Sequence, residues 1–449
     1  MQAARTSLVY RLARVPLFAA LATLPLLADD WPQWLGPQRD GVWRENRIVE
    51  KFPAKGPKVR WRTAIGGGYT GPAVANGRVY VLDRQLGPGA SNPSNPFAKV
   101  TIPGSERVLC LDAADGAILW KHDYDCPYAV SYPAGPRATP AVDGGRVYTV
   151  GAEGNLLCLD AEKGNAVWSH DLKKDYGITT PTWGFAGHPL IDGGKLICLA
   201  GGEGSVAVAF DKETGKELWR ALSAKEPGYC PPMIHEYGGK RQLIIWHPES
   251  VNGLDPDTGK VYWTYPHTPI RSGMTIASPR KFRDLLFLTS FYNGSLVLRL
   301  DSGKPTLVWQ SQKISEKDTD GLHSVMSTPF IDNGYAYGSC SYGQFRCLKA
   351  DTGERLWETF EPTTGKSERW GNAFIVKNAD RYFLFNEKGD LIIAKLSPEK
   401  YEEISRAHLL EPSNSDPGRP VVWSHPAFAN RCVYARNDKE IVCASLAAE

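Results

Sequence analysis

Five segments of this chain share one internal spacing: a small residue, Asp two places on, Gly four places further, and Trp four places beyond that. They are Cys110, Asp112, Gly116, Trp120; Cys158, Asp160, Gly164, Trp168; Ala209, Asp211, Gly215, Trp219; Gly253, Asp255, Gly259, Trp263; and Cys347, Lys349, Gly353, Trp357, the last with Lys in the Asp place. With Trp309 included, successive tryptophans from Trp120 to Trp357 lie roughly 44 to 51 residues apart. A period of that length, filled with short β-type runs and turn residues, is the sequence mark of a β-propeller blade. The chain therefore reads as all-β, a ring of four-stranded blades.

The copy ending at Trp168 shows how one blade is written. Pro140 to Val142 makes a short inner strand, and Asp143-Gly144-Gly145 a hairpin turn in which glycine accepts positive φ. Arg146 to Val150 forms the second strand, Glu153-Gly154-Asn155 turns, and Leu156 to Asp160 returns. After Glu162-Lys163-Gly164 the outer strand carries Trp168. The small residue before the Asp leaves room for the indole, so tryptophans can pin blades together.

Clear copies begin at Pro72, Pro140, Pro189, Pro232, Pro279 and Pro329. In the fifth, Asp301-Ser302-Gly303 shortens the turn and Trp309 comes two residues late. A seventh, degenerate copy has Ala394, Leu396 in the Asp place and Ile404 in the Trp place. The eighth starts at Pro426 and runs through Arg431 to Arg436 and Glu440 to Ser445, with no outer strand after it. Lys58 to Thr63 supplies a strand of the right kind at the other end of the chain, and closing the ring with it removes an open edge. The count is eight blades, with seven the nearest alternative. The one long interruption, Gly87 to Gly104, is rich in Pro, Ser and Asn and reads as a mobile surface loop.

Residues 1–28 read as an export leader, with Arg5, Arg11 and Arg14 ahead of the apolar stretch Val15 to Leu27 and a cleavage point after Ala28. The stretch is short of the roughly 20 apolar residues that span a bilayer, so no transmembrane span is expected. No Cys stands at the junction, so no lipid anchor is expected. Residues 29–449 are then a single propeller domain. Removing the leader takes three Arg and no acid from a chain of net charge +3, leaving 0. That balance excludes the basic excess of a nucleic-acid binder. A periplasmic or secreted monomer is expected.

Export permits disulfides among the nine cysteines. Cys110, Cys158, Cys347 and Cys443 fall in the small-residue place of separate blades and read as buried packing residues. Cys340 and Cys347 flank the Tyr342-Gly343 turn and could face one another across a hairpin. No spacing suggests zinc. Gly66 to Gly71 matches G-x-G-x-x-G but leads into a strand, not a helix. Asp255-Pro-Asp-Thr-Gly259 lacks the ligands of a calcium loop. Asn293-Gly-Ser295 is a glycosylation sequon. No nucleophile, base and acid set can be assembled from spacing.

The segments entering the inner strands converge at one mouth of a propeller's channel. Here they carry Tyr69, Arg137, Trp183 with His188, Tyr229, Arg271, His323, Trp370, and Trp423 with His425. Such a ring suits a planar or anionic ligand, or a peptide, through stacking and charge-assisted hydrogen bonds; a channel plugged by large residues would read the same way.

The repeats, above all Ala200-Gly-Gly-Glu-Gly-Ser-Val-Ala-Val-Ala-Phe-Asp-Lys-Glu-Thr-Gly-Lys-Glu-Leu-Trp219, resemble the quinoprotein (PQQ) propeller repeat. The opening Asp30-Trp-Pro-Gln-Trp-Leu-Gly-Pro-Gln-Arg-Asp-Gly-Val42 is similar to the start of small secreted PQQ-repeat-like proteins of environmental bacteria. In the quinoprotein dehydrogenases PQQ lies in the channel, stacked on a Trp, bound to calcium through Glu, Asn and an acidic base, and capped by adjacent cysteines. That resemblance puts Glu203 in the calcium place and makes Trp183 the stacking candidate. The adjacent Cys pair and the Trp-Asn…Gly-Asp-Asn segment have no counterpart here. The repeat also occurs in the eight-bladed lipoprotein scaffold of bacterial outer-membrane protein assembly, which serves protein binding without a cofactor. The expectation is thus an exported scaffold, without catalysis or cofactor, that binds a partner protein or small ligand at the mouth. The alternative is a degenerate PQQ- and calcium-dependent oxidoreductase.

Overall fold

The computed structural model describes residues 29–448 apart from 269, 272, 302 and 417. The leader read at residues 1–28, and Ser302 of the shortened turn, lie outside the described residues. Eight antiparallel four-stranded sheets follow one another in sequence order. The first blade runs Ala73–Ala75, Arg78–Leu86, Gly104–Asp112 and Ile118–Asp125 from inner to outer strand. The last takes Ala427–Ala429, Cys432–Arg436 and Glu440–Ser445 from the end of the chain. Its outer strand is Lys58–Ala64, paired so that Trp61 faces Cys443. Closure by the N-terminal strand, and the count of eight, hold as read from the repeats.

Each repeat position has a physical job at the seam between blades. The small residue lies directly across the third and outer strands from the indole: Cys110 opposite Trp120, Cys158 opposite Trp168, Ala209 opposite Trp219. The indole then reaches over the next blade's turn. A Cβ on Gly164 would lie 2.5 Å from the Trp120 ring, one on Gly215 2.7 Å from Trp168, and one on Gly353 2.7 Å from Trp309. Those glycines also sit at φ near +75°, where a side chain is strained. The indole N–H donates to a carbonyl of the neighbouring blade: Trp61 to Ala113, Trp120 to Ala161, Trp168 to Lys212, Trp309 to Ala350 and Trp357 to Ser397, all at 2.8–3.1 Å. Between blades, apolar faces interleave; Tyr148, Leu156 and Cys158 of the second pack against Leu196, Val208 and Phe210 of the third. Trp61, Trp219 and Trp263 are buried, whereas Trp120, Trp168, Trp309 and Trp357, on the same kind of outer strand, are only half-buried.

The segment from Trp31 to Trp43 has a role its composition does not announce. It circles the channel at the inner-strand ends and touches every blade in turn. Trp31 exchanges backbone hydrogen bonds with Val74, and Pro32 accepts one from Val142. The Arg39 guanidinium donates to the carbonyls of Pro189 and Pro232, and Arg280 donates to the Asp40 carbonyl. A Cβ on Gly41 would meet the Phe330 ring at 3.8 Å, Gly41 and Trp43 bond to Lys377, and Trp43 packs on Phe428. Only closely spaced turns make this path possible: Gly36 and Gly41 lie at positive φ, and so do Leu35 and Arg39, at a cost of about 1–2 kcal/mol each for the last two.

All nine cysteines are buried and free. The suggested Cys340–Cys347 pairing is not made: Cys347 lies opposite Tyr337 and Trp357, while Cys340 sits past the strand end. There its thiol meets Thr319 and the Arg346 guanidinium, the latter at 3.2 Å. The Gly87–Gly104 segment does connect the second and third strands of the first blade, and it is tied to the mouth. Pro96 accepts from the Tyr132 amide at 2.6 Å, Lys99 donates to Thr182, and the Phe97 ring lies 5.1 Å from Tyr132 and 5.9 Å from Trp370.

Candidate binding site at the channel mouth

Side chains from the segments that enter the inner strands enclose a cavity of about 160 Å³ on the channel axis. Its walls are aromatic. Tyr132, Trp370 and Trp423 form a triangle with ring centroids 5.7–6.1 Å apart, and Trp183 meets Tyr229 edge-on at 5.6 Å on another side. Tyr69, Met274, Ile276, Val325, Met326 and Phe374 fill the gaps. The floor is Trp34 from the circling segment, stacked on His188 at 4.1 Å and edge-on to His425 at 4.2 Å. Its indole donates to Ser278 at 2.9 Å.

A polar layer behind the aromatic wall fixes its rings. Arg419 donates to Glu387 at 2.8 Å and to Asp416 at 2.6 Å. Asp416 accepts from the Tyr132 hydroxyl at 3.0 Å, and Glu387 from the Trp423 indole at 3.3 Å. Burial pushes both carboxyls above their ordinary values, against the pull of Arg419. Tyr132 and Trp370 also sit at φ of 54° and 61°, a backbone region costly for bulky residues. The Trp370 indole nitrogen is buried without a hydrogen-bond partner, and the Arg369 guanidinium covers its ring at 4.4 Å.

The cavity holds one formal charge, that of Arg137. Its guanidinium donates to the carbonyls of Gly135, Ser131 and Tyr132 at 2.5–2.8 Å and lies 5.2 Å from the Tyr69 ring centre. His188 and His425 are neutral. Burial, joined by His425 and Arg39, pulls His188 well below its ordinary value, and burial lowers His425 to about 3. Accordingly His188 Nδ1 accepts from the Thr139 amide at 2.7 Å.

Of the ten residues expected at the mouth, Tyr69, Arg137, Trp183, His188, Tyr229, Trp370, Trp423 and His425 line this cavity. Arg271 and His323 do not. Arg271 turns outward to pair with Glu316 at 3.3 Å and to cover Tyr292. His323 is fully buried beside Gly294, bonded to the Phe291 carbonyl at 3.2 Å and lowered to about 4 by burial. Trp34, Tyr132 and the apolar members were missed: a search for Arg, His and aromatics in one loop class passes over Met274 and Val325. Only the Trp31-Pro-Gln-Trp34 spacing could have pointed to the floor.

Glu203, the calcium candidate, is exposed on the turn before Ala207–Asp211 and is not among the cavity residues. No carboxylate lines the cavity, and among the described residues no group of three or more His, Cys, Asp or Glu is placed to hold a metal ion. Calcium asks for six to eight oxygen ligands, so the residues present do not fit a PQQ–calcium pair. Trp183 remains free to stack a planar group.

Comparison with known proteins places this architecture. The PQQ_2 family model, described as Outer membrane protein assembly factor BamB, matches residues 104–359, more than half of the chain. Outer membrane protein assembly factor BamB of Burkholderia pseudomallei is 26% identical over 170 residues, which are 37% of this chain. The chain covers only 42% of that relative's length. Among solved structures, BamB from Moraxella catarrhalis superposes with a TM-score of 0.54 at 16% identity, over 85% of this chain and 96% of that one. The quinohemoprotein alcohol dehydrogenase of Comamonas testosteroni gives 0.57 at 13% identity over 94% and 81%. A europium-containing methanol dehydrogenase gives 0.56 at 16% over 92% and 89%. At such identities the structural likeness speaks for the fold alone.

Proposed function

The chain belongs to the PQQ_2 family, and from that premise we propose that it is an exported, non-catalytic propeller scaffold that captures a partner protein or small ligand at the aromatic channel mouth. The observation that carries the reading is the composition of that mouth: an apolar, ring-lined cavity with one cation and no carboxylate. Such a surface binds by stacking and burial of apolar area, with Arg137 orienting an anionic or carbonyl group. It offers no carboxylate to act as general base beside a bound substrate. The relative's name, an outer membrane protein assembly factor, makes a protein partner in the cell envelope the first candidate. Residues 29–449 act as one domain and a monomer in this reading, after loss of residues 1–28. Among the described residues no helix is long and apolar enough to cross a membrane.

The test is retention of partners from a periplasmic extract on immobilised wild type, Trp183→Ala and Arg137→Ala. The two variants should lose at least ten-fold of any ligand that wild type holds. Equal retention by all three would sink the mouth site. Calcium-dependent dye reduction on adding PQQ would favour the oxidoreductase alternative in its place.

A further inference from the structure

A second cavity, about 390 Å³, opens at the other end of the channel, where the circling N-terminal segment meets the inner strands of blades three to five. Its walls come from Gln33 and Pro37 to Asp40 on one side and from Leu190–Asp192, the Met233–His235 run and Arg280 on the other. Two of its side chains are buried guanidiniums that make no ion pair. Arg39 is 5% exposed and Arg280 9%. The Arg39 hydrogen bonds go to neutral oxygens, of Gln33, Pro189 and Pro232, and its Nε has no partner. Arg280 spends a single donor, on the Asp40 carbonyl at 2.6 Å, and rests on the Phe330 ring.

Both carboxylates of the cavity are paired with other cations, although the Arg241 that pairs with Asp192 also lines the cavity and Asp192 Oδ2 accepts no hydrogen bond. Asp40 is bound by Arg44, and Asp192 by Arg241 and Lys195. Lys281 donates to the Glu236 carbonyl. His235, held at about 4 by burial, adds no charge. Burial lowers Arg39 to about 9, and lowers Arg280 to about 10 against the partial pull of the nearby Asp40 carboxylate. Isolated buried charges are costly, and here one is further held on a residue at positive φ. Two unpaired guanidiniums at one cavity ask for about two negative charges, and the fork geometry of Arg matches a phosphate.

We propose that this cavity is a binding site for a small dianionic oxyanion, inorganic phosphate or the phosphate of a monoester, held between Arg39 and Arg280 and independent of the aromatic mouth. Titration of phosphate-free protein with inorganic phosphate, followed by calorimetry and thermal melting at constant ionic strength, tests it. Wild type should bind one equivalent and melt higher, and Arg280→Gln should weaken the affinity at least ten-fold. Arg39→Gln should do the same where circular dichroism shows it folded, and Arg280 alone decides if it is not. Arg137→Gln, at the mouth, should leave the affinity within three-fold. Glycerol phosphate in place of phosphate separates the sources: tighter binding assigns the site to a monoester, weaker binding to the free ion. Equal stabilisation by chloride at matched ionic strength, or unchanged phosphate affinity in folded Arg280→Gln, would overturn the site. Failure here leaves the mouth reading untouched, because the mouth is tested through Trp183 and Arg137.

Discussion

At five of the eight blade seams the same indole hydrogen bond returns, whereas along the channel axis scarcely one position repeats. A seam is a small residue opposite an indole, that indole lying over a glycine of the next blade, and its N–H on that blade's carbonyl. Trp61, Trp120, Trp168, Trp309 and Trp357 all make that hydrogen bond. The axis instead holds Trp34 on His188, three aromatics in a triangle, Arg137 on backbone carbonyls, and Arg39 between two blades. Stability comes from elements that can be copied, because each seam solves the same packing problem. Recognition sits where copying stops, as a site asks for different groups on its different sides.

If the seams carry the ring, breaking the closing one should have the largest effect. Deleting residues 57–65 removes the strand paired with Glu440–Ser445 and uncovers the edge of that strand. We expect loss of the cooperative melting transition, with aggregation. A truncated protein that melts as sharply and as high as the full chain would show that the ring does not need this closure.

The same division explains what could be read from sequence. Seam positions recur, so Asp112, Gly116 and Trp120 and their copies announced the fold, the blade count and the closing strand. Even the irregular fifth and degenerate seventh copies kept their places as blades. The mouth could be read only by analogy of position, which works while every entering segment points inward. It fails at Arg271, drawn outward by Glu316, and at His323, turned into the protein under Phe291. The Trp31 to Trp43 segment occurs once, so no periodicity marks it. Its contacts with all eight blades reach as far along the chain as Phe428, which both Trp31 and Trp43 meet, and no local pattern encodes them. Glu203 followed from family resemblance alone, and its turn leaves it in solvent.

Single seam substitutions should come next in size. Gly215→Ala adds a methyl at φ 74° and drives it to 2.7 Å from Trp168. We expect a loss of about 3 kcal/mol, combining backbone strain with displacement of a packed ring. Gly77→Ala is the control: φ is 73° and nothing lies within 4 Å, so only the strain, about 1 kcal/mol, applies. Trp219→Ala, buried, should cost about 3 kcal/mol, and the half-buried Trp120→Ala about half of that. Chemical denaturation measures all four. Equal losses for Gly215→Ala and Gly77→Ala would mean that the glycine–indole contact contributes nothing.

The axis has its own signature in pH. His425 takes up its proton near 6.5 when the chain is unfolded but only at about 3 when folded, because burial disfavours the cation. Between those values the unfolded state binds the extra proton. Its contribution to stability is therefore fully present above pH 6.5 and is withdrawn as pH falls, by at most about 1.4 kcal/mol per unit. Wild type should lose about 2 kcal/mol relative to His425→Gln between pH 6.5 and 4.5, read as the difference between two denaturation series so that other titrating groups cancel. A difference that stays flat over this range would show that His425 is reached by water in the folded protein.

The smallest expected effect on stability is also the sharpest test of the comparison. Trp183 lies in a mouth segment, is only partly buried, and meets one aromatic neighbour edge-on at 5.6 Å. Nothing in a seam depends on it. Trp183→Ala should therefore cost less than about 1 kcal/mol, well below Trp219→Ala, though both remove an indole. The same substitution should abolish capture of a mouth ligand, which Trp219→Ala should leave intact at temperatures where it is folded. Melting curves and ligand retention on the two variants give a two-by-two result. A large stability loss from Trp183→Ala would make the mouth aromatics structural filler of the channel. Loss of retention in folded Trp219→Ala would place recognition at the seam, on the outer face of the blades.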